Sequence, residues 1–293
     1  MPPDLVSIAS HALSARINPT GAELWSLADA QGREFMTDAD PAFWGGHAPV
    51  LFPIVGSLAD NRLVVDGQGY AMARHGFART SAFAIAEQGP GHVRFALRDS
   101  AATRRLYPFA FALDIGFRLD GWRLDIVASV HNPGDRPLPF SFGYHPAFAW
   151  PLPGGAQKAA HRLTFAQDEP APVRRVARDT GLLLPRAQAT PVTGRTLMLD
   201  AALFADDALI WTDLASRSLN YGAPGGASLD IGFPDMPMLG LWQVPGARYI
   251  CIEPWQGHAD PQGFAGPFSD KPGLVTLAPG AVRSYHLSIT VNV

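Results

Sequence analysis

The stretch Trp122–Asn132 reads WRLDIVASVHN, and its alternation decides the fold class. Leu124, Ile126 and Ala128 share one face, while Arg123, Asp125 and Val127 share the other. A period of two marks a half-buried strand, because successive side chains of an extended chain point to opposite sides. The run FALDIGFRLD precedes it, and Asp120-Gly121 between the two is a hairpin signal. Asp66-Gly67 is another. Working outward, similar short runs recur: LVSIAS, RLVVDG, HVRFALRD, ASLDIGF and VRSYHLSITV, punctuated by 29 glycines and 27 prolines. Helical periodicity is nearly absent. Ser100–Leu106 offers one or two turns, and the Ala-rich stretch near Ala201 another. The pattern predicts an all-β protein, an antiparallel sandwich or barrel rather than a series of βαβ units. Pro151–Gly194 is richer in Pro, Ala and Arg and suits a long excursion over the surface. With no flexible linker in view, residues 1–293 read as one domain.

Bulk composition narrows the function. The 293 residues are 47% hydrophobic and 17% charged, which fits a globular chain with a real core. Net charge is −3, and all but two of the 23 basic residues are arginine, the exceptions being Lys158 and Lys271. No basic stripe is present, which argues against a nucleic-acid partner. No window approaches the roughly 20 apolar residues of a spanning helix, and the opening residues lack a cationic segment leading into an apolar run. No membrane partner and a cytoplasmic location are therefore expected. The single cysteine, Cys251, excludes an intramolecular disulfide and a cysteine-based zinc site.

Three segments stand out chemically. His75 lies in ARHGFAR just after a hairpin, and His145 lies in FGYHPAF at the end of an apolar run. Glu253 lies in CIEPWQG, also at the end of an apolar run and also followed by proline. Proline restricts the preceding residue to extended geometry and cannot donate to a ladder, so both runs are expected to stop there. An imidazole and a carboxylate thus come to strand ends, where a sheet meets a pocket. Each has a plainer reading. His145 can be a hydrogen-bonded core residue, and Glu253 can be half of a structural ion pair, since burying it alone is costly. His75, between Arg74 and Arg79, can be a solvated loop residue. His47 and His258 read as rim or surface. The aromatics Trp44, Phe52, Phe77, Phe142, Tyr144 and Trp255 suit the apolar faces of a sugar ring or an ordinary core. No HExxH, close histidine pair, GxSxG, GxGxxG or GxxxxGK is present, so no metal, cofactor or serine nucleophile is indicated.

In order along the chain, NPTGAEL (18–24), WGGHAPVLFPIVG, HGFAR, FGYHPAF, DDALIW and CIEPWQG resemble the galactose-mutarotase-like superfamily of aldose 1-epimerases. The resemblance spans nearly the whole chain, and FGYHPAF and CIEPWQG are similar to its bacterial branch of unassigned aldose epimerases. It implies a large antiparallel β-sandwich with a sugar cleft on one concave face and no cofactor. It implies His145 as general acid, Glu253 as general base and His75 as a second histidine holding the sugar. Arg62 in DNR corresponds to a substrate-binding arginine. Asp207, with Asp206 as the neighbouring alternative, corresponds to an aspartate bonding sugar hydroxyls. The implied reaction is interconversion of the anomers of a free aldose. HGFAR is also similar to the hexose-6-phosphate mutarotase branch, in which case Arg62, Arg74 and Arg79 suit a phosphate; solvated strand-edge charges are the alternative. A carbohydrate-binding module without turnover is a third possibility, and glycoside hydrolysis would require a second carboxylate, for which Asp207 is the candidate.

Overall fold

The computed structural model describes residues 4–293, and nearly every regular element in it is an antiparallel strand. Nine strands form the larger sheet, in the order Thr196–Met198, Arg162–Phe165, Ser218–Gly222, Ser228–Gly232, Val282–Asn292, Arg123–His131, Ala112–Asp120, His92–Arg98 and Ala84–Gly89. A six-stranded sheet runs Leu209–Trp211, Met238–Trp242, Tyr249–Gln256, Phe142–Tyr144 and Val50–Leu51, with Ala147–Ala149 pairing separately on Tyr249–Gln256. Val6–Ala9, Leu13–Asn18 and Glu23–Asp29 make a third, smaller sheet. This is the antiparallel sandwich that the alternation predicts. Leu124, Ile126 and Ala128 are buried as expected, and Ile289, Leu287 and Tyr285 face them across the ladder to Val282–Asn292.

Local chemistry sets the turns. At Asp66-Gly67 both residues have positive φ, 51° and 76°, the conformation that a two-residue hairpin of matching twist requires. At the other hairpin, Asp120 remains in its strand opposite Arg123, so the turn residues are Gly121 and Trp122. The predicted helical turn forms at Ala101–Arg104, started by a capping box in which the Ser100 hydroxyl accepts the Thr103 N–H. The stretch near Ala201 makes a 3₁₀ turn, Ala201–Phe204.

One expectation is corrected. Pro151–Gly194 does not merely cross the surface: Leu163 and Phe165 enter the core on a strand of the nine-stranded sheet, and Val173 and Val176 are buried beyond it. No helix among the described residues is long and apolar enough to cross a membrane.

The core lies between the two larger sheets, and the pleat of the smaller one positions everything that follows. Ile250 and Ile252, Leu239 and Leu241, Leu209 and Trp211, and Phe142 and Tyr144 all point into it. Their alternate neighbours must therefore project from the opposite face. Phe142 is fully buried and stacks on Tyr285, with ring centroids 5.0 Å apart and planes at 12°. Phe142→Ala is expected to lower stability by about 3–5 kcal/mol through the cavity it leaves. Urea unfolding measures this, and a loss below about 1 kcal/mol would contradict the packing described.

Candidate active site

The outer face of the six-stranded sheet carries the alternate set: Gly143, His145, Cys251, Glu253, Trp255, Met238, Gly240, Trp242 and Ile210. Trp255 pairs with Gly143, and Cys251 pairs with Ala147, in a single antiparallel register. That register, continued between the two pairs, sets His145 opposite Glu253. Regular pairing lapses at Tyr144–Pro146, where His145-Pro146 faces Glu253-Pro254. The two prolines, neither able to donate, thus lie in the same gap. Glu253 is consequently in the interior of its strand, which runs through Pro254 to Gln256, rather than at the strand end expected from the sequence.

Directly opposed residues share a face of the sheet at close range. Accordingly, His145 Nε2 lies 3.1 Å from Glu253 Oε2, with both side chains almost wholly buried. Burial is the main influence on both groups. It lowers the His145 pKa to about 3, with Arg79 and Arg74 pushing the same way. It raises Glu253 well above the ordinary carboxylate range, against the pull of Arg74 and Arg79. The two titrate as a unit, and over a wide pH range that unit holds one proton.

A cleft of about 250 Å³ opens above the pair. Trp255 forms its floor, lying so flat on the sheet that a Cβ at Gly240 would come within 2.5 Å of the indole and one at Gly143 equally close. Glycine at both positions is what lets the ring lie there. Trp44 and Trp242 form another side, with the Trp44 ring 5.1 Å from His145 and edge-on to Trp242. Val176 and Gly181, from the segment after the strand Arg162–Phe165, also line the cleft, and Val176 packs in one cluster with Ala208, Ile210 and Trp255.

His75 reaches the cleft from a loop under backbone constraint. Its φ is +68°, an uncommon region for a side chain with a Cβ. Two reciprocal bonds hold it: His75 N–H donates to Gly56 O at 2.9 Å, and Gly56 N–H donates to His75 Nδ1 at 3.1 Å. On the other side of the ring, Arg74 Nε–H donates to Nε2 at 3.1 Å, so both ring nitrogens are engaged by protein donors. The ring stands perpendicular to that of His145, with centroids 5.8 Å apart. Gly76 follows, also at positive φ, and a Cβ there would strike Phe52 O at 2.2 Å.

Of the remaining predicted residues, Arg79 and Asp207 line the cleft, and so does Arg74. Asp207 takes φ +67°, and its Oδ1 accepts the Ala208 N–H. Asp206 is exposed and pairs with Arg178, so the register of that pair is settled by geometry. Arg62 is a correction. Alternation in Arg62–Val65 buries Leu63 and turns Arg62 outward, against Gly69 in a separate depression shared with Asp260 and Phe264. His47 and His258 are corrections too, since both are buried. His47 stacks on Trp25 at 3.8 Å, and His258 Nδ1 bonds Ala259 O. Among the aromatics, Trp44 and Trp255 line the cleft, whereas Phe52, Phe77, Phe142 and Tyr144 belong to the core. Trp242 was not singled out from the sequence, although its alternation with Gly240 opposite CIEPW carries the signal.

Loops beneath the cleft are tied by a buried ion pair. Lys271 Nζ lies 3.0 Å from Asp260 Oδ1 and donates to His258 O, while Asp260 Oδ2 accepts the Ala59 N–H. This fixes Ala259 against Gly56, the residue that orients His75.

The chain matches the family model described as aldose 1-epimerase over residues 4–290. It is 30% identical over 296 residues to Protein LacX, chromosomal, of Lactococcus lactis subsp. lactis, covering 97% of this chain and 99% of that one. A galactose mutarotase related enzyme from Lactobacillus acidophilus superposes with a TM-score of 0.90 at 31% identity, covering 99% of this chain and 97% of the other. A galactose mutarotase-like protein from Lactobacillus casei also gives 0.90, at 26% identity, covering 98% and 100%.

Five buried histidines make stability pH-dependent. Burial lowers His47 to about 4 and His145 to about 3, and also lowers His75, His161 and His258. The unfolded chain takes up these protons near pH 6.5 and the folded chain does not. Their contribution is therefore fully present above pH 6.5 and lost as pH falls below it. Glu253 and Glu23, both raised by burial, have the opposite sign above pH 4.5 and offset up to about two histidines. Unfolding free energy should fall between pH 7 and 5 by up to about 1.4 kcal/mol per unit for each uncompensated histidine. Urea titrations at both pH values measure it, and an unchanged value would count against neutral buried rings.

Proposed function

The chain belongs to the aldose 1-epimerase family, and from that premise we propose that it interconverts the α and β anomers of an aldose. The observation that carries this reading is the 3.1 Å contact between His145 Nε2 and Glu253 Oε2 at the bottom of an aromatic-walled cleft. We take the whole chain as one catalytic domain, because one apolar core joins its two larger sheets.

Anomer exchange requires a proton to leave the O1 hydroxyl and another to reach the ring oxygen O5. Electrons from the O1–H bond form the C1=O1 double bond, the C1–O5 bond breaks, and its electrons stay on O5 with the incoming proton. The free aldehyde turns about C1–C2 and recloses on its other face, reversing both transfers. A pair holding one proton suits this task, since it takes one and gives one and ends with the same count. In the ion-pair form of that state, Glu253 is the base and protonated His145 the acid. Burial favours the neutral form, and Arg74 and Arg79 favour the carboxylate. The two forms therefore differ by one proton crossing one short contact. The Asp207 carboxylate serves sugar hydroxyls beside the Arg74–His75 pair, and the indoles of Trp255, Trp44 and Trp242 meet the apolar ring faces.

A phosphorylated aldose is a second reading, favoured by the Arg74 and Arg79 guanidinium groups that line the cleft. The Arg79 charge is offset by Glu23 and Glu253 only through space. Arg79 is thus available to an anionic substituent, and Arg74, whose Nε–H is given to His75 Nε2, has its terminal nitrogens left to offer.

Polarimetry of fresh α-glucose, α-galactose and glucose 6-phosphate tests these assignments. Glu253→Gln and His145→Asn should each lower kcat by about 10²–10⁴-fold with the fold intact. A rate equal to the uncatalysed one with wild-type protein would remove the epimerase reading for these sugars. Preference for the phosphate, lost in Arg74→Ala, would establish the second reading.

The pH profile is a separate check. As pH falls toward about 3, the pair gains a second proton and loses its base. As pH rises through the elevated Glu253 range, it loses its only proton and with it the acid. The expected kcat/KM has no acid limb at the 6.5 of an ordinary histidine. A limb there would contradict the shared-proton pair.

A further inference from the structure

We propose that His145, Cys251 and Glu253 form a binding site for one thiophilic divalent cation, such as zinc, and that its occupancy shuts off the proton pair. The three residues are buried, and their ligand atoms all lie within 4.8 Å of one another. The sheet produces this grouping. Cys251 and Glu253 are two apart on one strand and so share its outer face, and His145 is the register partner of Glu253. No local motif announces it, because the donors come from two segments more than 100 residues apart in sequence. The site sets aside the expectation that a single cysteine excludes a zinc site containing it.

The donor set is an imidazole nitrogen, a thiol sulfur and a carboxylate oxygen. These are the three zinc ligand types, and three protein ligands with an open fourth position is the arrangement of zinc sites that admit an exogenous ligand. Here the fourth direction is the cleft, through which His145 and Glu253 are reached. Thiolate coordination selects zinc, cadmium or cobalt over magnesium and calcium, which prefer all-oxygen sites. The exchange balances without electron transfer. The cation displaces the proton of the Cys251 thiol and the one held by the His145–Glu253 pair, and two protons are released per ion bound. Bound metal occupies both His145 Nε2 and the Glu253 carboxylate, so neither can exchange a proton with a sugar. Trp44 and Trp242, which line the cleft, also pack against the buried cluster that contains Cys251, so an entering ion passes between the cleft and those indoles.

Cys251 has no part in the proton transfers described above, which makes it the test position. The inhibition rests on the epimerase reading, whereas the binding does not. Cobalt(II) titration of the wild-type protein should give a thiolate-to-metal charge-transfer band saturating at one equivalent and abolished by zinc. Cys251→Ala and the near-isosteric Cys251→Ser should lack the band while retaining the wild-type circular dichroism. In polarimetry, zinc should inhibit the wild type competitively with sugar, and magnesium should not. Cys251→Ala should keep its basal rate and need at least about 10–100-fold more zinc for the same inhibition. Absence of the cobalt–thiolate band, or equal zinc sensitivity of wild type and Cys251→Ala, would overturn the proposal. Should the wild type turn over no sugar, the cobalt titration alone decides the site, so the two readings fail separately.

Discussion

Register between Phe142–Ala149 and Tyr249–Gln256 is the constraint on which the rest of the site depends. It is fixed at both ends by ordinary ladder pairs, Gly143 with Trp255 and Ala147 with Cys251. Between them two X-Pro steps face each other, and the ladder opens just where an imidazole and a carboxylate must meet. A slip of one residue would send His145 and Glu253 into the apolar core and Tyr144 and Ile252 out of it. The burial of Phe142, Tyr144, Ile250 and Ile252 therefore selects the register, and the register places the chemistry. Stability and site geometry are in this sense one constraint read from two faces of a sheet.

Electrostatics follows from depth. Each member of the pair would be poorly solvated as an ion, and each supplies the other with its missing hydrogen-bond partner. Around them the charges are graded. Arg74, Arg79 and Asp207 line the cleft itself, and the Lys271–Asp260 pair ties loops that carry Ala259 to it. His75 is held neutral in a strained backbone by Gly56, and Gly56 is held in turn by Ala259. A change at the concealed ion pair therefore reaches the cleft through backbone contacts rather than through its charge.

Much of this was legible in the sequence, and the failures have physical reasons. Alternation in WRLDIVASVHN and the two Asp-Gly turns are local signals, so the antiparallel architecture could be read directly. His145 and Glu253 were legible as unusual residues because proline after an apolar run is conspicuous. Their contact was not, since it depends on a pairing across more than 100 residues. Laying FGYHPAF antiparallel against YICIEPW would have revealed it. Arg62 was misplaced because a motif fixes a residue's neighbours but not the face its strand presents; Leu63 claims the core there and Arg62 is turned away. His47 and His258 sit in Gly- and Pro-rich text that looks exposed, yet long-range packing on Trp25 and beneath Lys271 buries them. Cys251 drew attention only as a lone thiol. Its place beside Glu253 follows from the two-residue period of the strand.

The two halves of the cleft are built on different kinds of scaffold. Its floor belongs to the six-stranded sheet, where His145, Glu253 and Trp255 are locked by pairing and by the glycines beneath the indole. Val176, Gly181 and Trp44, which shape its walls, ride on connecting segments that can lengthen or change sequence without disturbing a ladder. Such a division lets a lineage reshape the cleft while the His145–Glu253 pair is inherited intact. Diversification within this architecture is therefore expected to concentrate in residues 38–47 and 174–183, and to leave the His-Pro and Glu-Pro steps alone.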